Sequence, residues 1–127
     1  MELAIQADII TLHAPLTSDT RHVVGPDFLQ AMQSHAIVVN SSRGELIDTH
    51  ALAAALTSAQ IGGAALDVFE REPLEMDHPL RGAPNLLISP HAAWYSASSI
   101  ERLQRLAAEE AGRALRGEPL RCLVPEL

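Results

Sequence analysis

The sequence predicts an α/β domain built on a parallel sheet, and three observations carry that prediction. Short β-branched or apolar runs alternate with helical stretches, the pattern of repeated βαβ units. The runs lack clean polar alternation, which suits a sheet covered on both faces. The 127 residues are 47% hydrophobic and 20% charged, the size and composition of one ordinary globular domain.

Each element has its own signal. Residues 3–7 read as the tail of a helix. ADIITLHAP reads as a buried strand over about residues 8–12, stopped by Pro15. Thr17-Ser18-Asp19-Thr20 is a polar turn. Pro26 and Asp27 open a short helix over about residues 27–32, since Pro is tolerated at a helix start. HAIVVNSSRG carries a second strand over about residues 36–39, ending in polar residues and Gly44. Asp48 or Thr49 caps an Ala- and Leu-rich helix over about residues 49–58. Gly62-Gly63 leads into a third strand, AALDVF, over about residues 64–68. Residues 70–85 hold three Pro and no periodicity, so they read as a surface loop. NLLISP is the fourth strand, over about residues 86–88. Ser96 to Ser99 caps the longest helix, over about residues 100–115. Its apolar residues at 100, 103, 106, 107, 111, 114 and 115 share one face. Gly117 and Pro119 stop it, and LRCLVP reads as a last short strand.

Charge and composition exclude several functions. The formal charge is −7, and all nine basic residues are Arg. An acidic chain with four aromatic residues is a poor nucleic-acid binder, because phosphates need clustered cations and bases need rings. The apolar runs are too short to span a membrane. MELAIQADII lacks the basic start of a secretory signal. Cys122 is the single cysteine, which rules out an internal disulfide and fits a reducing cytoplasm. His13, His22, His35, His50 and His78 show no ligand spacing, so no metal site is expected.

In open parallel sheets, ligands bind outside the carboxyl ends of the strands. Arg43, Asp67 and His91 each follow the end of a different strand and can converge on one edge. Glu70 and Glu72 lie just beyond the third strand, within reach of that edge. An imidazole passes protons near neutral pH, and a carboxylate beside it stabilises the imidazolium and selects the tautomer. Arg43 offers a planar fork for a substrate carboxylate. Together these types suit a small 2-keto or 2-hydroxy acid. Simpler readings stand beside them. His13 satisfies a backbone group at a strand end, Glu70, Glu75 and Asp77 lie in a solvated loop, and Cys122 is a tail thiol. Glu101, Arg102, Arg105, Glu109 and Glu110 form the wet face of the long helix.

The segments ADIITLHAPLTSDTRHVV, VNSSRGELIDTHALAAAL, GGAALDVFEREP and LRGAPNLLISPHAA occur in an order and spacing that resembles the D-isomer-specific 2-hydroxyacid dehydrogenases. They resemble the second half of that family's Rossmann-like, doubly wound NAD-binding domain. PHAAWYS is similar to the C-terminal-binding-protein branch, dehydrogenase-like corepressors that sense NAD(H), and to their bacterial dehydrogenase relatives. The resemblance implies NAD as cofactor and reversible reduction of a 2-keto acid. It implies that Arg43 holds the substrate carboxylate, His91 is the acid–base, and Glu72 rather than Glu70 pairs with His91. It places Asp67 on the nicotinamide carboxamide. Residues 14–20, with Ala14, Pro15, Leu16 and Thr20, fall along the cofactor's ribose side. Ser41 and Ser42 line the nicotinamide half, and Trp94 borders the substrate pocket.

Part of the family pattern is missing. No G-x-G-x-x-G occurs, and the acidic residue that reads the ribose about 20 positions beyond it has no counterpart. The chain is therefore expected to be a fragment, a truncated reading frame or one half of a split protein, lacking the Gly-rich half and the substrate domain. Cofactor binding by the chain alone is expected to be weak or absent. A homo-oligomer or a completing chain is the expected partner. The rival expectations are an NAD(H)-sensing scaffold without turnover, and an inactive remnant.

Overall fold

A computed structural model describes residues 1–123. It divides into two compact units, Met1–Ala93 and the segment from Trp94 onward. The first unit holds helix α1 (Glu2–Gln6), strand β1 (Ile9–Leu12), helix α2 (Pro26–Ala31), strand β2 (Ile37–Asn40), helix α3 (Thr49–Thr57), strand β3 (Gly63–Leu66) and strand β4 (Leu86–Ile88). Single 3-10 turns occupy Gly44–Leu46 and Pro79–Gly82. The second unit is built on helix α4 (Ala97–Leu115).

The four strands lie in the order β1-β2-β3-β4, and every pairing is parallel. Register aligns Ile10, Val38, Ala64 and Leu86 in one row, and Leu12, Asn40, Leu66 and Ile88 in the next on the same face. This face meets the buried residues of α2 and α3, with Leu29, Leu52 and Leu56 joining Val38 and Leu66 in one core. The other face carries Ile9 and Ile37, then Val39, Ala65 and Leu87. Ile9, Ile37 and Leu87 are exposed there, so within the Met1–Ala93 unit the sheet is covered on one face, not on both as expected. The reason is topological. Right-handed crossovers that all step the same way deposit their helices on one face.

Local chemistry sets the boundaries. Pro26 stands in the first turn of α2. The Asp48 carboxylate accepts from the Ala51 amide and caps α3. Ser96 and Ser99 form a reciprocal capping box at the start of α4. Residues 70–85 are more ordered than a surface loop. Within them, His78 accepts from the Leu80 amide to start the Pro79–Gly82 turn, and Leu80 enters the core. One apolar side chain in a Pro-rich stretch leaves no periodicity to detect. The described part of LRCLVP, residues 120–123, is irregular rather than a strand, and the remainder lies outside the described residues.

Because all strands are parallel and in register, their carboxyl ends lie on one edge. The segments 13–20, 41–44, 67–72 and 89–91 leave the sheet there.

Candidate active site

Asn40, the last residue of β2, is buried and shapes the loop that follows. Its Nδ2 donates to the Arg43 carbonyl at 2.7 Å, and its Oδ1 accepts from the Ser42 amide at 3.0 Å. The Ser42 hydroxyl donates to the Ala14 carbonyl at 2.9 Å, joining this loop to residues 14–20. That second loop closes on itself, with the Thr20 hydroxyl donating to the Pro15 carbonyl at 2.7 Å. Arg43 is exposed, and its guanidinium donates to the Ser42 carbonyl at 2.8 Å. Gly44 is required by close approach, since a Cβ there would lie 1.9 Å from the Phe69 carbonyl carbon.

Asp67, at the end of β3, is 5% exposed and organises the turn that presents His91. Its Oδ1 accepts from the Ser89 hydroxyl and the Ala92 amide, and its Oδ2 accepts from the Ala93 amide at 2.8 Å. Its carbonyl accepts from the His91 amide at 2.8 Å. Burial alone would raise its carboxyl pKa, but the Ser89, Ala93 and Ala92 donors, with His91 nearby, hold it below the ordinary value. His91 itself has a φ of 54°, a left-handed conformation uncommon outside glycine.

The His91 Nδ1 meets Glu72 Oε2 at 2.8 Å, as the Glu–His pairing requires. Glu72 Oε1 accepts from the Phe69 amide at 3.0 Å. The hydrogen bond with His91, then that from Phe69, lower the Glu72 pKa, so it is ionised near neutral pH. Arg43, Glu72 and His91 line one hollow of about 260 Å³ together with Gly44, Glu45 and Glu70. A second, mostly apolar cleft of about 550 Å³, lined by Phe69, Leu74, Ile88 and Pro90, shares Glu72 and His91 with this hollow.

Glu70 is not a solvated loop residue. Its Oε2 accepts from both the amide and the hydroxyl of Thr49, and its Oε1 meets His22 Nε2 at 2.6 Å. Burial would raise its pKa, but the Thr49 and His22 hydrogen bonds outweigh burial and lower it. His13 meets the Thr11 hydroxyl at 2.9 Å rather than a backbone group. Glu75 pairs with Arg71. Trp94 belongs to the second unit, where its ring meets Tyr95 edge-on at 5.6 Å. Among the described residues, no three His, Cys, Asp or Glu form a cluster able to hold a metal ion. No helix among them is long and apolar enough to cross a membrane.

Asn40, Gly44 and Ser89 are parts of this site that sequence reasoning missed, and the role of Glu70 escaped it as well. Asn40 had a signal, a polar residue closing a β-branched run at a strand's carboxyl end. Glu70 had none, because its partners lie 21 and 48 positions away.

The donor set fits the nicotinamide half of a dinucleotide. Exposed Ser41, the 14–20 loop and the Asp67 carboxylate stand at neighbouring strand ends. Asp67 Oδ2 takes one donor within the described residues and has the lone pairs to accept a carboxamide as well. The pyrophosphate half has no matching G-x-G-x-x-G turn in these 127 residues.

Comparison with known proteins agrees with this geometry. Residues 1–93 match the family described as D-isomer specific 2-hydroxyacid dehydrogenase, NAD binding domain. A glyoxylate reductase of Aeropyrum pernix is 44% identical over 108 residues, which are 85% of this chain and 32% of that protein. A crystal structure of a Thermus thermophilus protein superposes with a TM-score of 0.89 at 39% identity, covering 98% of this chain and 40% of the other. A D-lactate dehydrogenase with NAD+ from Lactobacillus jensenii superposes at 0.85 and 28% identity, covering 98% and 42%. The chain thus spans about a third of the length of the curated relatives it matches. With the strand-end site and the matched residues in agreement, the chain belongs to the D-isomer specific 2-hydroxyacid dehydrogenases and corresponds to part of their NAD-binding domain.

Proposed function

We propose that this chain supplies the carboxylate-binding and acid–base residues of an NAD(H)-dependent oxidoreductase for small 2-hydroxy acids. The observation that carries this reading is the His91–Glu72 pair at 2.8 Å in the hollow that Arg43 also lines. With Nδ1 directed at Glu72, proton exchange with a substrate falls to Nε2 of His91. Arg43 holds the 2-keto acid's carboxylate and polarises its carbonyl. In reduction, His91 as imidazolium gives its proton to the carbonyl oxygen, and in oxidation it takes that proton back. Glu72 stabilises the imidazolium and aims the ring. A bound nicotinamide supplies and accepts the hydride at substrate C2. Asp67, Ser41, Ser42 and the 14–20 loop position that ring, and the family resemblance assigns Trp94 to the border of the substrate pocket.

The Gly-rich pyrophosphate turn and the substrate domain are not among these residues. The stretch that carries them, on this polypeptide or another, is the completing partner, and a reducing cytoplasm fits the single thiol, Cys122. Relatives named glyoxylate reductase support a small 2-keto acid as substrate.

The test is a chimera in which this chain replaces the matching third of the Aeropyrum pernix glyoxylate reductase. NADH oxidation with glyoxylate, pyruvate and hydroxypyruvate is then followed. Turnover is expected, falling roughly 10²–10⁴-fold in His91→Asn. Trp94→Ala is expected to raise KM more than it lowers kcat. A folded chimera that binds NADH but turns over none of the three acids would sink the reading. The PHAAWYS segment favours a second reading, an NAD(H)-sensing scaffold. Redox-dependent self-association without turnover would support it.

A further inference from the structure

We propose that Glu70 is a positioning residue for the Glu72–His91 pair, because it clamps the turn from which Glu72 reaches His91. Its consequence for catalysis rests on the acid–base reading above, but the geometry does not.

The turn over residues 69–72 leaves the carboxyl end of β3 and has no strand partner of its own. It is held from three sides. Beneath it, the Phe69 and Glu70 backbone packs so closely on Gly44 that no side chain fits between them. Within it, the Phe69 amide donates to Glu72 Oε1 at 3.0 Å. Outward, the Glu70 carboxylate takes the Thr49 amide at 3.0 Å, the Thr49 hydroxyl, and His22 Nε2 at 2.6 Å. Thr49 is the first residue of α3 and is 3% exposed, so the clamp anchors the turn to a rigid, buried helix start. A carboxylate is suited to that place, because the first amides of a helix lack intrahelical acceptors and carry partial positive charge.

His22 brings a second loop to the same carboxyl group. Its amide donates to the Glu45 carbonyl at 2.8 Å, and Glu45 lies in the hollow with Arg43. Thus one carboxylate ties the Arg43 loop, the start of α3 and the Glu72 turn together. The other ionisable groups near the clamp are His78, whose Nε2 is 3.3 Å from the Thr49 hydroxyl, His50, whose ring meets His78 at 4.6 Å, and Arg71, Glu75 and Asp77, while Asp67 acts on the Glu72 carboxyl itself. Glu70 is joined to Thr49 on one side, and the turn that carries it is joined through the Phe69–Glu72 bond to His91 on the other.

A merely structural clamp would alter stability and leave the Glu72 carboxyl in its present surroundings. A positioning clamp sets those surroundings, so the readout is the titration of Glu72 itself. Carbon-detected NMR of the 127-residue chain follows the Glu72 carboxyl from acid to neutral pH, with no cofactor or substrate present. Glu70→Ala is expected to raise the Glu72 titration by about half a unit or more, as its bonds from His91 and Phe69 loosen. Glu70→Gln should largely restore it, because an amide oxygen still accepts from Thr49. Thr49→Val removes the hydroxyl donor, keeps the amide, and should give a smaller upward shift. An unchanged Glu72 titration in folded Glu70→Ala overturns the proposal. Should Glu70→Ala not fold, an unchanged titration in Thr49→Val overturns it instead. The chimera assay is separate, so an inactive chimera leaves this outcome standing, and a flat Glu72 response leaves the dehydrogenase reading standing.

Discussion

His91 shows how much of a site residue's placement is set by its backbone. Its amide is held by the Asp67 carbonyl and its turn by the Asp67 carboxylate, while its φ of 54° re-aims the ring at Glu72. Asp67 thereby serves the fold and the site at once. Replacing it by Asn sets an NH2 group against donors and should cost about 1–3 kcal/mol at pH 7 in urea unfolding. The cost is pH-dependent in a defined direction. The folded-state pKa of Asp67 lies below the ordinary 3.8, so its stabilisation is present above that value and is lost as pH falls through the folded pKa. Wild-type and Asp67→Asn stability curves should therefore converge in strong acid, and a constant gap down to the lowest pH would contradict the assignment. Gly44 makes a second residue-scale test. Gly44→Ala should destabilise by about 1–3 kcal/mol, because the Phe69 backbone occupies the Cβ position. Gly82→Ala, with nothing within 4 Å of the added carbon, should stay within about 0.5 kcal/mol.

At the scale of elements, short strands depend on what stands at their ends. The strands are three or four residues long, so register carries much of the site's geometry. Leu12, Asn40, Leu66 and Ile88 finish level with one another, and the loops that follow begin side by side. Helix α3 is the most buried helix and anchors Glu70 through Thr49. Its start depends on the Asp48 cap. Asp48→Ala should cost about 1 kcal/mol in thermal or urea unfolding, with Asp48→Asn recovering most of it. Equal stability of all three proteins would show that the Asp48–Ala51 bond is not formed in solution. Most elements were legible from sequence. β4 was read at its observed bounds, and α2, α3 and β2 within a residue or so, because Pro26, Asp48 and the Ile37-Val38-Val39 run are local signals. The Pro79–Gly82 turn was not legible, since its one buried residue, Leu80, has no periodic neighbours.

At the scale of the whole molecule, one-sided helix packing within the Met1–Ala93 unit leaves Ile9, Ile37 and Leu87 exposed on the far face of its sheet. The site is likewise one-sided. The strand-end residues proposed for the nicotinamide and the substrate share one edge, but a helix N-terminus following a Gly-rich turn, the usual anchor of a pyrophosphate, is not encoded in the 127 residues. Titration of the chain with NADH, read by Trp94 emission, should therefore show no saturable micromolar binding. Saturable quenching abolished by Asp67→Ala and Arg43→Ala would mean that the nicotinamide half alone makes a site.

The sequence by itself determined the alternation of strands and helices and the parallel sheet, and its family resemblance singled out Arg43, Glu72 and His91 as the candidate set. The first two follow from local propensity and element order, the third from motifs shared with the family. Tertiary structure alone decided that Asp67 holds the His91 turn, that Asn40 shapes the Arg43 loop, and that Glu70 is a clamp rather than a wet loop residue. Each of those roles is a hydrogen bond to a group on another segment or a buried carboxylate's need for donors. Such bonds depend on which loops share the carboxyl edge of the sheet, and no local pattern in the chain records that.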